Sequence, residues 1–148
     1  MSVLAVTDAL ATLEKTISGI NAAYSLDETP QRLNVSSLPA FINWPGTATY
    51  ETRTGLAIET RSYRCILYIA PLESPVEMRY KGATAEPLLA AARLVFLGSP
   101  GLASTTDVLS ARLVGDSGLI IIEDYGGFYL GIEFTVQVQE EINVTYTL

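Results

Sequence analysis

Two pairs of adjacent acids, Glu123-Asp124 and Glu140-Glu141, are the residues of this chain best suited to acid–base work or to holding a cation. Side chains that follow one another on an extended segment point apart, so each pair is expected to be solvated and not convergent. Cys65 is the single cysteine, which rules out an intrachain disulfide and a cysteine-based metal cluster. It sits in the apolar run Cys65-Ile-Leu-Tyr-Ile69, where a small core hydrophobe is expected in place of a reactive thiol. Histidine is absent, and with it the commonest general base, the commonest zinc ligand and any Ser-His or Cys-His nucleophile. Gly126-Gly127 lacks the flanking lysine or helix that a phosphate loop needs, and reads as a turn. The expectation is therefore no cofactor, no metal and no catalytic set.

Basic groups are few. Arg53, Arg61 and Arg64 lie close together, but Arg61 and Arg64 are three apart and project to opposite faces of a strand, which weakens any single basic patch. Pairing with surface acids is the plain expectation for them, and ion pairs across a subunit interface are the alternative. The net charge is −7 and the pI about 4.5, which argues against tightly held nucleic acid, since that affinity comes from Lys and Arg on phosphates. Asn34-Val-Ser36 and Asn143-Val-Thr145 match the glycosylation pattern by chance, because Met1 to Asp8 does not read as a secretory signal. No apolar run approaches the roughly 20 residues of a membrane span, so no membrane partner is expected. A reducing cytoplasm, or a particle assembled there, is the expected location.

The elements that must carry these residues are organised around one ribbon. From Phe128 to Val138, Phe128, Leu130, Ile132, Phe134, Val136 and Val138 alternate with Tyr129, Gly131, Glu133, Thr135 and Gln137, and Gln139 follows. That period of two marks a strand with one buried face. The β-branched run Leu119-Ile-Ile-Ile122 precedes it across Glu123-Asp-Tyr-Gly-Gly127, whose glycines can take the positive φ of a hairpin turn. Leu109 to Glu140 therefore reads as a long antiparallel hairpin, with a bend in its first arm at Gly115-Asp-Ser-Gly118.

Upstream, Val3, Val6, Leu10, Leu13, Ile17, Ile20 and Tyr24 are spaced three and four apart, which predicts a helix ended by the polar stretch Ser25 to Pro30. Leu38 to Trp44 reads as a short strand stopped by Pro45-Gly46. Thr47 to Gly55 reads as a protruding loop or ribbon, and Leu56 to Ala70 as a longer strand. A helical region from Val76 to Leu97 is expected to break at Lys81-Gly82, with Thr84 capping its second part, before the stop at Gly98-Ser-Pro-Gly101. The 148 residues thus form a single α+β domain: an antiparallel or mixed sheet with two main helices on one face and a long C-terminal β-hairpin. The even-numbered residues of the last strand should face the helices, leaving Glu133, Gln137 and Gln139 on a flat polar surface.

Several stretches together resemble the tail terminator proteins of long-tailed bacteriophages. They are the leading helix, Leu38-Pro-Ala-Phe-Ile-Asn-Trp-Pro-Gly46, Glu59-Thr-Arg-Ser-Tyr-Arg-Cys-Ile-Leu-Tyr-Ile-Ala-Pro71, the Glu86-Pro-Leu-Leu helix and Gly126-Gly-Phe-Tyr-Leu-Gly-Ile-Glu-Phe-Thr-Val. The resemblance implies a small α+β fold assembled as a hexameric ring on the head-proximal end of the tail tube. It further implies a tail tube protein and a head-completion or connector protein as partners, with DNA passing through the lumen without specific binding. Docking contacts are expected on Thr47 to Thr54, including Thr49, Tyr50 and Arg53, and on Gly98 to Asp107, including Ser104 and Thr106; Arg61, Glu133 and Gln137 complete the candidate interface. Two alternatives stand beside it: a neck or head–tail adaptor ring, and a non-viral regulatory domain that binds a small ligand.

Overall fold

Strand β6 (Gly127–Asn143) and strand β3 (Leu56–Leu72) run antiparallel along nearly their whole length and form the spine of the molecule. The computed structural model describes residues 3–73, 78–102 and 108–143, and of residues 78–81 and 84 it describes the backbone alone. The order of elements is α1 (Val3–Glu14), β1 (Ala22–Tyr24), β2 (Ala40–Arg53), β3, α2 (Met78–Leu97), β4 (Val108–Asp116), β5 (Ile120–Asp124) and β6. In space the sheet runs β1-β2-β3-β6-β4, with β5 also pairing β6. All pairings are antiparallel except β1 with β2, so the sheet is mixed and the domain is α+β.

Both helices lie on one face. Val6 and Leu10 of α1 and Ala92 and Phe96 of α2 pack with Phe41, Tyr63, Cys65, Leu67, Ile132, Phe134, Val136 and Val138 in one continuous core. The even-numbered residues of β6 are therefore the buried ones, as the alternation requires. Phe41, Phe96 and Phe134 meet ring to ring, with centroids 5.3 to 6.0 Å apart, and tie β2, α2 and β6 together.

The long C-terminal hairpin is present, but its first arm is two strands. β5 pairs β6 through Ile120 to Asp124, and β4 pairs a later part of the same edge, from Phe134 to Glu140. The bend expected at Gly115 to Gly118 is the break between them, where Gly118 takes φ +67°. The turn into β6 puts both Tyr125 (φ +50°) and Gly126 (φ +74°) in the left-handed region. That conformation costs an aromatic residue about 1–2 kcal/mol. Tyr125 is held there by its hydroxyl, which donates to the Pro30 carbonyl at 3.1 Å, and by the edge of the Tyr68 ring.

Four local expectations are corrected. Helix α1 ends at Glu14, and the residues after it turn through tighter i→i+3 bonds, Thr16 N–H to Leu13 and Ile17 N–H to Glu14. Ile17 stays buried in that turn, while Tyr24 belongs to β1, so the three-and-four spacing outlasted the helix that it seemed to describe. β2 does not stop at Pro45-Gly46. One extra residue on β2 forms a bulge between the Pro45–Tyr63 and Ala48–Arg61 pairs, and a bulge on a strand with an open outer edge is where proline is tolerated. Gly46 is required there, since a Cβ would lie 2.7 Å from the Ser62 carbonyl oxygen. α2 is continuous through Gly82 and Pro87, so position 84 lies inside the helix and not at an N-terminus. Burial of Ala85 against Leu72 and Leu130 anchors the first half of α2 and outweighs the two weak positions. Finally, Glu140 is not solvated: the two-residue period carries it to the helix side, where it is 3% exposed, while Glu141 faces water.

Candidate interaction surface

The sheet face turned away from the helices is divided in two. At one end Ile42, Ile66, Tyr68 and Tyr129 are covered by Leu33 and Leu38 from the segment before β2, so this half is a second small core. The surface expected to carry Glu133, Gln137 and Gln139 is the other half of this face. Sequence periodicity identifies which residues share a face, but it is blind to a non-regular segment folded back over that face.

The other half is mostly polar across four strands, with Trp44 of β2, 40% exposed opposite Arg64, as its large apolar residue. From β2 it carries Thr49, Glu51 and Arg53; from β3, Thr60, Ser62 and Arg64; from β6, Glu133, Thr135, Gln137 and Gln139; from β4, Ser110 and Arg112. Cross-strand bonds tie it into a lattice. Arg64 is ion-paired to Glu133, Arg112 donates to the Gln137 side-chain oxygen at 3.0 Å, Ser110 donates to Gln139 at 3.3 Å, and Gln139 donates to Thr60 at 3.4 Å. Each such contact is worth under about 1 kcal/mol at an exposed position. Their joint effect is a flat surface with its side chains held in place.

At the far end of this face β2 and β3 close as a hairpin, paired from Ala48–Arg61 out to Arg53–Leu56, and β6 stays paired to β3 on its other side from Arg61–Val138 out to Leu56–Asn143. Gly55 (φ +73°) closes its tip, at a position where an L side chain would be strained. β1 meets β2 only through Ala40 to Ile42, so among the described residues no strand pairs the outer edge of β2 from Asn43 onward. Thr47 to Gly55 therefore does not protrude as a loop or free ribbon: up to Arg53 it is the outer strand of the sheet, a hairpin arm backed by β3 and β6. Tyr50 is 59% exposed on it.

The predicted interface residues separate by face. Thr49, Arg53, Glu133 and Gln137 share the polar side. Tyr50 and Arg61 lie on the helix side of the sheet, where Arg61 donates to Glu59 at 2.7 Å, to the Gly46 carbonyl at 2.8 Å and to the Tyr50 hydroxyl at 3.3 Å. Its main partner Glu59 raises the guanidinium pKa further, so Arg61 stays charged. Arg61 and Arg64 do project to opposite faces, and Arg53 pairs with Glu51 at 2.8 Å. Ser104 and Thr106, with the rest of residues 103–107, lie outside the described residues.

Sequence reading missed Arg112 and Ser110. The signal was present: Ser110 and Arg112 alternate with the inward Ala111 and Leu113, a short strand pattern adjoining Gln137 and Gln139. Beside them a groove of about 370 Å3 runs between the end of α2 and β4, walled by Phe96, Leu97, Arg112 and Gln137. A second, of about 400 Å3, is walled by Arg32, Asn34, Tyr125 and Tyr129. Each has one charged side chain in its wall.

Of the groups singled out for chemistry, Asp124 accepts from the Tyr68 hydroxyl at 2.8 Å and from the Tyr125 N–H, which ties the end of β5 to the turn. Cys65 is fully buried, and burial together with the nearby Glu14 carboxyl holds its thiol well above its ordinary pKa, so it is not a thiolate nucleophile. No helix among the described residues is long and apolar enough to cross a membrane. Compared with known protein families and with curated proteins, the chain matches no family model and no curated sequence.

Proposed function

We propose that this protein is a structural ring subunit of the tail terminator kind, which closes on the head-proximal end of a phage tail tube and offers a docking surface to the head-completion or connector protein. The observation that supports the proposal is the polar half-face bounded by β2, whose outer edge from Asn43 onward pairs with no strand among the described residues. Among the described residues both helices cover one side of the sheet, which leaves the uncovered half of the other side and the sheet edges available for recognition between copies. The resemblance in the sequence supplies the particular assembly.

The mechanism is geometric. A head-to-tail contact closes into a ring when its rotation completes a circle, and a ring whose upper face no longer matches the tube subunit gives the next layer nothing to add to. The two rims of the polar half-face, β2 and β4, differ in sequence and exposure, as a head-to-tail contact requires. An excess of seven negative charges disfavours gripping of DNA phosphates in the lumen. In this proposal the protein has no catalytic role, no cofactor and no membrane partner, and resides in the virion tail after assembly in the host cytoplasm.

Arg53→Glu is the direct test. The residue is exposed at the end of the β2–β3 hairpin, so reversal of its charge should change monomer stability by about 1 kcal/mol or less. Ring formation, read by light scattering or microscopy, and capping of purified tail tubes should fall at least about tenfold, a loss of about 1.4 kcal/mol at the contact. Wild-type protein that neither forms rings nor binds purified tubes would refute the proposal; rings that bind connector but not tube would move it to the neck.

A further inference from the structure

The last residue of α1, Glu14, lies on the helix face that should be purely apolar. It follows Val6 and Leu10 at spacings of four, and all three are fully buried. Its Oε1 accepts from the Asn43 side-chain amide at 2.6 Å, and the same amide donates its other hydrogen to the Tyr24 carbonyl at 3.0 Å. Two buried side-chain atoms are left over, Oε2 of Glu14 and Oδ1 of Asn43. Both are acceptors when Glu14 is ionised, and a buried acceptor without a donor costs about 1–3 kcal/mol. One proton resolves both: a carboxylic acid O–H donates where a carboxylate cannot.

We infer that Glu14 is a neutral carboxylic acid paired edge to edge with the Asn43 amide, and that this pair is a proton-dependent clasp holding α1 to β2 and β1. The acid O–H donates to Asn43 Oδ1 while the amide N–H donates to Glu14 Oε1, so the two groups satisfy one another in a closed ring. Ionisation removes the donor and turns the two oxygens toward one another as repelling acceptors, which loosens the end of α1.

The surroundings favour the neutral form. From β2 the group facing Glu14 is the Asn43 amide, from β3 the Cys65 thiol, and from β1 the Tyr24 carbonyl; from α2 the packing residues are apolar, and no cation acts on it among the described residues. Burial pushes its pKa from 4.5 up to about 8, against smaller lowering by Asn43 and Cys65. The native state then holds a proton that the unfolded chain releases. Stability from this group is complete below about pH 4.5, falls as pH rises toward 8, and is level above that.

Glu14→Gln tests the clasp, because the glutamine amide places an N–H donor where the acid O–H stood and does not titrate. The variant should melt close to wild type at pH 5 and above it at pH 8.5, and its melting temperature should lose the downward slope that wild type shows between those values. Amide exchange in residues 3–14 should be faster in wild type than in the variant at pH 8.5 and equal at pH 5. Wild type at pH 6 should also show the infrared carbonyl band of a protonated carboxylic acid that Glu14→Gln lacks, a readout that does not depend on the variant's stability. Parallel melting curves for the two proteins across this range, or no such band, would overturn the inference.

Discussion

Phe134→Asp is expected to give a protein with no cooperative unfolding transition and no native fold. Phe134 is fully buried at the crossing of β6 with Phe41 of β2 and Phe96 of α2. Truncating a buried phenylalanine costs about 3–5 kcal/mol by itself. An unpartnered carboxylate in the same place adds several more, through ionisation or through a forced pKa shift. The sum matches or exceeds the whole stability of an ordinary domain, about 5–15 kcal/mol. Gln139→Ala, on the other side of the same strand, loses two long hydrogen bonds to Ser110 and Thr60 and should shift stability by about 1 kcal/mol or less. Circular dichroism melts of the two variants separate the faces. A folded Phe134→Asp protein melting like wild type would mean that the core assignment of β6 is wrong.

Gly131→Val should be the most damaging change outside the phenylalanine cluster. Gly131 stands where β6 is paired on both sides, with Tyr68 of β3 and Ile120 of β5. A Cβ there would lie 2.5 Å from the Leu67 carbonyl oxygen and collide with the Ile122 side chain. Ile122 can rotate away, but the carbonyl belongs to the spine of the sheet and cannot. Overpacking a core costs about 1–3 kcal/mol when side chains yield, and a backbone obstacle places this substitution at or above the top of that range. Denaturant unfolding should give a midpoint lowered accordingly with the slope retained. Gly126→Asn offers a contrast, since that glycine has open space around it and asparagine tolerates positive φ; its cost should be below about 1 kcal/mol.

The polar half-face and the Glu14 clasp bear on different parts of the molecule. In the proposed assembly Arg53 and Gln137 would report on contacts between chains, whereas Glu14 reports on how α1 is fastened within one. A pH-dependent loss of α1 would leave the β3–β6 spine paired, because the two strands join along most of their length independently of the helix.

What the sequence determined by itself was the set of faces. Strict alternation in Phe128 to Val138 named the buried side of β6, and the spacing of Arg61 and Arg64 placed them on opposite sides. Such patterns are legible because one period, two or 3.6, converts directly into direction. Only the tertiary structure decided where elements end and what covers them. Pro45-Gly46 and Lys81-Gly82 both signal a stop, yet β2 continues by a bulge and α2 by the burial of Ala85. Leu33 and Leu38 close over half of the outer face, and Glu14 finds its amide 29 residues away. These outcomes depend on contacts between segments distant in the chain, and their free energies outweigh the local preferences of a single proline, glycine or acid.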